Sequence, residues 1–139
     1  MAIDVDARHW PLVFTRFGGT QTVEEVERYV VAMNDVIGRK QPWASVPFME
    51  GYSRDPRVHK RMAAFMKETD AATRQYCVGI AMVAPSAGFR FVLSAVFLIQ
   101  PLACPYVVCG SLEEALAFVG PKARERGLML PAARPSWNP

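Results

Sequence analysis

Apolar and polar positions change period several times along the chain, and each change predicts a new element. Ile3 to Asp6 and Trp10 to Phe17 read as two short strands, the second alternating Leu12, Phe14 and Arg16 against Val13 and Thr15 before Gly18-Gly19. They are expected to pair as a hairpin or at a sheet edge. Thr22-Val23-Glu24-Glu25 is a capping-box pattern, and Val23, Val26, Val30, Met33 and Ile37 then recur at steps of three and four, one face of a helix with Gly38 as its stop. Trp43 to Met49 predicts a buried strand, in which Pro47 removes a ladder donor and points to an edge or a bulge.

Asp55-Pro56 predicts an N-cap with proline at the first helical position, followed by an inward face of Val58, Met62, Phe65, Met66 and Thr69 and a helix to about Gln75. Tyr76 to Ala84 is a near-continuous apolar run, as for a strand covered on both faces. Ser86 caps a helix bearing Phe89, Val92, Leu93, Val96 and Phe97. The stretch Phe89 to Leu102 is interrupted by Arg90, Ser94, Gln100 and Pro101, which excludes a membrane span and predicts a buried helix. Tyr106 to Cys109 predicts the last strand, and Ser111-Leu112-Glu113-Glu114 opens a short helix that ends before Gly120-Pro121.

Strands alternating with helices define a single-domain layered α/β fold with a mixed or mostly parallel central sheet of four to five strands and about four helices. The domain is expected over residues 1–120, with 121–139 as a Pro- and Arg-containing tail beyond the core. A chain of 139 residues suits one core. The net charge of +3 is too small for a dedicated nucleic-acid binder, so no nucleic-acid partner is expected. Met1 to Val13, with Asp4, Asp6 and Arg8, lacks the apolar core of a signal peptide, and a cytoplasmic location is expected.

Little in the sequence carries chemistry. Cys77, Cys104 and Cys109 form an odd set without CxxC spacing, and His9 and His59 stand outside any metal spacing, so buried free thiols and neither metal nor cofactor are expected. Glu24-Glu25 and Glu113-Glu114 open helices, where the dipole explains them without catalysis. The richest segment is the loop and helix start after the Trp43 strand. Its Tyr52, Ser53, Arg54, Arg57, His59, Lys60 and Arg61 form a candidate site for an anion or an acidic partner, the alternative being charges that solvate a helix face.

The order of elements, together with Tyr76 to Val83, Ser86 to Gln100, Pro105 to Val108 and Ser111 to Phe118, is similar to the STAS-like domains of anti-sigma-factor antagonists, transporter cytoplasmic domains and related STAS/SEC14-like bacterial proteins. The resemblance implies a STAS-like fold and a regulatory role. It also implies a phosphorylation switch, for which Ser53 is the nearest counterpart, with Tyr52 standing where the antagonists carry Asp. The function expected is a non-enzymatic regulatory or protein-interaction module with a protein partner. The alternatives are a small-molecule or lipid carrier whose pocket is lined by Phe89 to Leu102, and an enzyme using Cys109 or Cys77 with His59 and an arginine. A homodimer through an edge strand or an apolar helix side is open.

Overall fold

The computed structural model describes residues 3–19, 21–51 and 53–137. In chain order the elements are β1 (Ile3–Asp6), β2 (Leu12–Phe17), α1 (Val23–Gly38), β3 (Trp43–Met49), α2 (Pro56–Glu68), α3 (Asp70–Tyr76), β4 (Cys77–Val83), α4 (Ala87–Ile99), β5 (Tyr106–Cys109) and α5 (Leu112–Glu125). The five strands form one sheet in the order β1-β2-β3-β4-β5, with β1 antiparallel to β2 and the other neighbours parallel. The layered α/β fold read from the sequence is thus present.

The topology assigns each helix its side. From β2 to β5 the chain steps one strand at a time in one direction, and right-handed crossovers then put every connecting helix on the same face. Val13, Phe17 and Trp43 point to that face and meet Val26, Val30, Met33 and Val36 of α1 and Val58 and Phe65 of α2. Leu12, Phe14, Ala44, Val46 and Phe48 point the other way and meet Leu112, Ala115, Val119 and Ala123 of α5. The period of two along β2 and β3 therefore feeds two cores, one on each side of the sheet.

Caps fix the helix starts. Thr22 and Glu25 satisfy each other's backbone amides in a capping box, and Ser86 and Ser111 accept from the amides of Phe89 and Glu114. α1 ends at Gly38, but the left-handed turn that follows is taken by Lys40, with φ 53°.

Several expectations are overturned by the packing. β3 is the central strand, not an edge: the amides of Ala44 and Glu50 donate toward β2, to Pro11 and Phe17, so the donor missing at Pro47 falls on the β4 side. The bulge lies elsewhere, where Trp43 pairs with Cys77 and Ala44 with Gly79, leaving Val78 as the extra residue. The helix expected to run to Gln75 breaks at Thr69, whose hydroxyl donates to the Phe65 carbonyl at 2.8 Å and competes with the backbone ladder.

The last helix does not stop at Gly120-Pro121. It continues to Glu125, because Gly120 has no Cβ for the proline ring to crowd and Val119 and Ala123 are both fully buried. Nor does the following segment lie beyond the core: Leu128, Leu130, Ala133 and Trp137 pack on the α5-side cluster, and the Trp137 ring sits edge-on to Phe48 with centroids 6.1 Å apart. α4, expected to be buried, keeps only Leu93 out of solvent.

At the end of β1, Asp6 is 5% exposed and accepts from the Arg8 amide and from the guanidinium at Nε and Nη2, at 3.0 to 3.1 Å. The side-chain hydrogen bonds of Arg8 hold its carboxyl below the usual carboxylate value. The native state therefore takes up this proton less readily than the unfolded chain, and the stabilisation is present above the ordinary carboxylate pKa and lost as pH falls through the lowered native value. Asp6→Asn is expected to flatten the loss of urea-unfolding free energy on acidification from pH 5 to the lowered value. Phe14→Ala, at a fully buried position facing α5, is expected to cost about 3–5 kcal/mol in the same measurement.

Candidate functional site

The loop after β3 and the first turns of α2 lie at the carboxyl ends of the parallel strands. Gly51 is forced there by close approach: a Cβ on it would stand 2.8 Å from Gly19 Cα, in the loop after β2. Gln21 ties the two loops together, donating through Nε2 to the carbonyls of Gly18 at 2.7 Å and Gly51 at 3.4 Å. Tyr52 lies outside the described residues.

Beyond it the segment satisfies itself. The Ser53 hydroxyl is buried and accepts from the Asp55 amide at 3.0 Å. Asp55 is the N-cap, accepting from the Arg57 amide at 2.9 Å and, through both oxygens, from the Arg57 guanidinium at 3.2 and 2.8 Å. Arg57 in turn holds the Asp55 carboxyl below its usual range. Pro56 has no amide, and the amides of Val58 and His59 donate to the Asp55 carbonyl. The first turn of α2 is consequently closed by its own cap, and its dipole already faces a carboxylate.

The basic residues do not converge. Arg61 reaches across to α1 and donates to Glu27 at 2.7 Å, with Glu68 4.0 Å away, so it stitches two helices together. His59 donates from Nε2 to the Ser53 carbonyl oxygen rather than to its hydroxyl, which leaves the serine without an activating base from this ring. Arg54 and Lys60 are exposed and have no carboxylate partner among the described residues.

The three cysteines are free and buried. Hydrogen bonding to Cys104 and burial push the Cys77 thiol up, while Cys104 is lowered by that same contact and by Arg126 and Arg74. Burial raises Cys109, whose thiol donates to the Met82 carbonyl at 3.3 Å. Cys109 belongs to the α5-side core, whereas α2, which carries His59, covers the opposite face. The structure does not bring a nucleophile and its base together in that pair. Among the described residues no group of three or more His, Cys, Asp or Glu gathers as metal ligands.

The surface that sequence reasoning missed is α4. Of its residues only Leu93 is buried; Phe89, Arg90 and Phe97 are half-buried, and the helix rests chiefly on β5, where the Tyr106 hydroxyl donates to the Phe97 carbonyl at 2.9 Å. Phe91 is 76% exposed, Leu98 82% and Ile99 82%, with Val92 and Val96 near half. Its one charged residue, Arg90, is turned back to the carbonyls of Ala84 and Pro85, both at 2.8 Å. The expectation of a buried helix fails because, among the described residues, no other helix packs over the outer side of this crossover to the edge strand. The signal was present in Ala87 to Ile99: apolar residues occur on all sides, so inward packing accounts for only part of them.

Two depressions, of about 350 and 320 Å³, lie between β1 and the Ser136-Trp137 segment and between α5 and residues 132–134. Neither is lined by α4. No helix among the described residues is long and apolar enough to cross a membrane. Comparison with models of protein families and with curated proteins gives no match.

The closed state of the Ser53 loop has a measurable consequence. Ser53→Asp places a charge where a buried hydroxyl now accepts an amide, and is expected to cost about 1–3 kcal/mol in urea unfolding. A surface switch serine would tolerate it without loss.

Proposed function

We propose that the chain is a non-enzymatic regulatory or protein-interaction module that engages a protein partner through the outer face of α4. The observation that carries this reading is the exposure of Phe91, Leu98 and Ile99, with Val92 and Val96 beside them, on one helix. Contiguous apolar surface of this kind is rare on a protein that stays alone, and aromatic and aliphatic anchors without charge are the composition of an interface centre. The resemblance of the element order to STAS-like bacterial regulatory domains supports the same class of function from the sequence side.

The loop and α2 are a secondary contact region at most, since Arg57 and Arg61 are engaged by Asp55, Glu27 and Glu68, and Arg54 and Lys60 offer two separate cations. Surface ion pairs of this kind contribute little to association. The carrier alternative has no comparable support, because α4 turns its apolar side chains outward and lines neither depression.

The test is capture from native lysate by the immobilised chain beside two variants, Phe91→Asp/Leu98→Asp and Arg57→Glu/Lys60→Glu. The natural chain and the basic-surface variant are expected to retain the same protein, and the α4 variant to lose at least about tenfold of it. Loss in the basic-surface variant with retention in the α4 variant would transfer the function to α2.

A further inference from the structure

The outer face of α4 has an internal order that its exposure alone does not require. At 100° per residue, Gly88 and Ala95 fall on one line down the middle of the exposed face. Phe91 and Leu98 flank that line on one side, and Val92 and Ile99 on the other. Both flanks repeat at seven residues, large on either side of small.

We propose that the partner of this face is a second copy of the chain, packed with α4 antiparallel to α4 about a two-fold axis at Ala95. This rests on the reading of α4 as a protein-interaction face. A two-fold axis perpendicular to the helices keeps each flank on its own side and reverses its direction. Phe91 of one copy then meets Leu98 of the other, Val92 meets Ile99, and each contact occurs twice. Ala95 meets its own counterpart on the axis, where a small residue lets two helices approach to the short end of the usual 8–10 Å.

Area and charge favour this occupant. The exposed parts of the four large residues that this packing faces, Phe91, Val92, Leu98 and Ile99, amount to roughly 500 Å² per copy, or about 1,000 Å² in a dimer that buries them fully, the least expected of a specific interface. The face carries no ionisable side chain, so two chains of net charge +3 can meet there without like charges opposed, and a charged partner would find nothing to read. A lipid surface fits less well, because helices that lie on membranes flank their apolar face with Lys and Arg, while the flank of α4 is its own protein and Arg90 is tied to Ala84 and Pro85.

The experiment is light scattering and sedimentation on the purified full chain across about a hundredfold range of concentration. The expected species has twice the 15.5 kDa chain mass, and Leu98→Glu or Phe91→Glu, both at exposed positions, weakens dimerisation at least roughly thirtyfold with an unchanged circular dichroism spectrum. Ala95→Cys is expected to give a covalent dimer with a short bismaleimide, and Lys60→Cys on α2 none. A dimer that survives Leu98→Glu, or an Ala95→Cys chain that is dimeric yet never cross-links, overturns the proposal.

A chain of single mass at every concentration that still captures a different protein through α4 overturns the second copy and leaves the interaction face standing. A single-mass chain with no α4-dependent capture removes both. A single-mass chain that floats with phosphatidylcholine vesicles, and loses this in Leu98→Glu, assigns the face to lipid instead.

Discussion

Parallel strands cannot be joined by a tight turn, and this constraint organises the whole molecule. Each step from β2 to β5 needs a crossover, such crossovers follow a right-handed rule, and all steps run in the same direction across the sheet. Three crossovers therefore load one face with α1, with α2 and α3, and with α4. The opposite face is left to the chain beyond the last strand. α5 and the segment to Trp137 must cover it, which is why the helix persists through Pro121 and why Leu128, Leu130, Ala133 and Trp137 reach back over the sheet.

The same constraint makes α4 different from α1 and α2. α1 and α2 lie side by side, joined by Arg61 to Glu27 and by the edge-on ring pair of Tyr29 and Phe65, so each covers part of the other. α4 arrives last on that face, over the short edge strand β5, and rests on it with its outer side exposed. Its outward side chains are nevertheless as apolar as its inward ones. Among the described residues nothing covers Phe91, Leu98 and Ile99, and an exposed apolar face of this kind is the ordinary mark of an interaction surface.

Local chemistry was legible wherever neighbours in sequence decide it. Thr22 with Glu25, Asp55 with Pro56, and Ser86 announce helix starts because an orphan amide and its acceptor lie within three residues of each other. The alternation in Leu12 to Phe17 announced a strand, and the run before Ala84 a covered one. What failed was information held by distant residues. Pro47 reads as an edge signal until β4 is known to tolerate the missing donor, and Gly120-Pro121 reads as a stop until the burial of Val119 and Ala123 is known to outweigh it. Likewise the engagement of Arg61 is not legible in the neighbouring sequence, because its closest carboxylate, Glu27, comes from α1, with Glu68 at the far end of α2 adding to it.

The division between the two candidate surfaces follows from how charge and apolar area behave when exposed. A guanidinium in water loses little by finding a carboxylate of its own chain, and Arg57 and Arg61 have each done so, which leaves Arg54 and Lys60 as the cations of this region without such a partner among the described residues. An apolar ring in water has no such local remedy, since only burial relieves it, and burial needs surface of matching shape. Phe91 cannot be satisfied by anything within reach on its own helix, because the positions around it, Ala87, Gly88, Ser94 and Ala95, are small and exposed. The large exposed apolar side chains of α4 thus gather where no charge lies, and their pattern around Ala95 matches its own reverse.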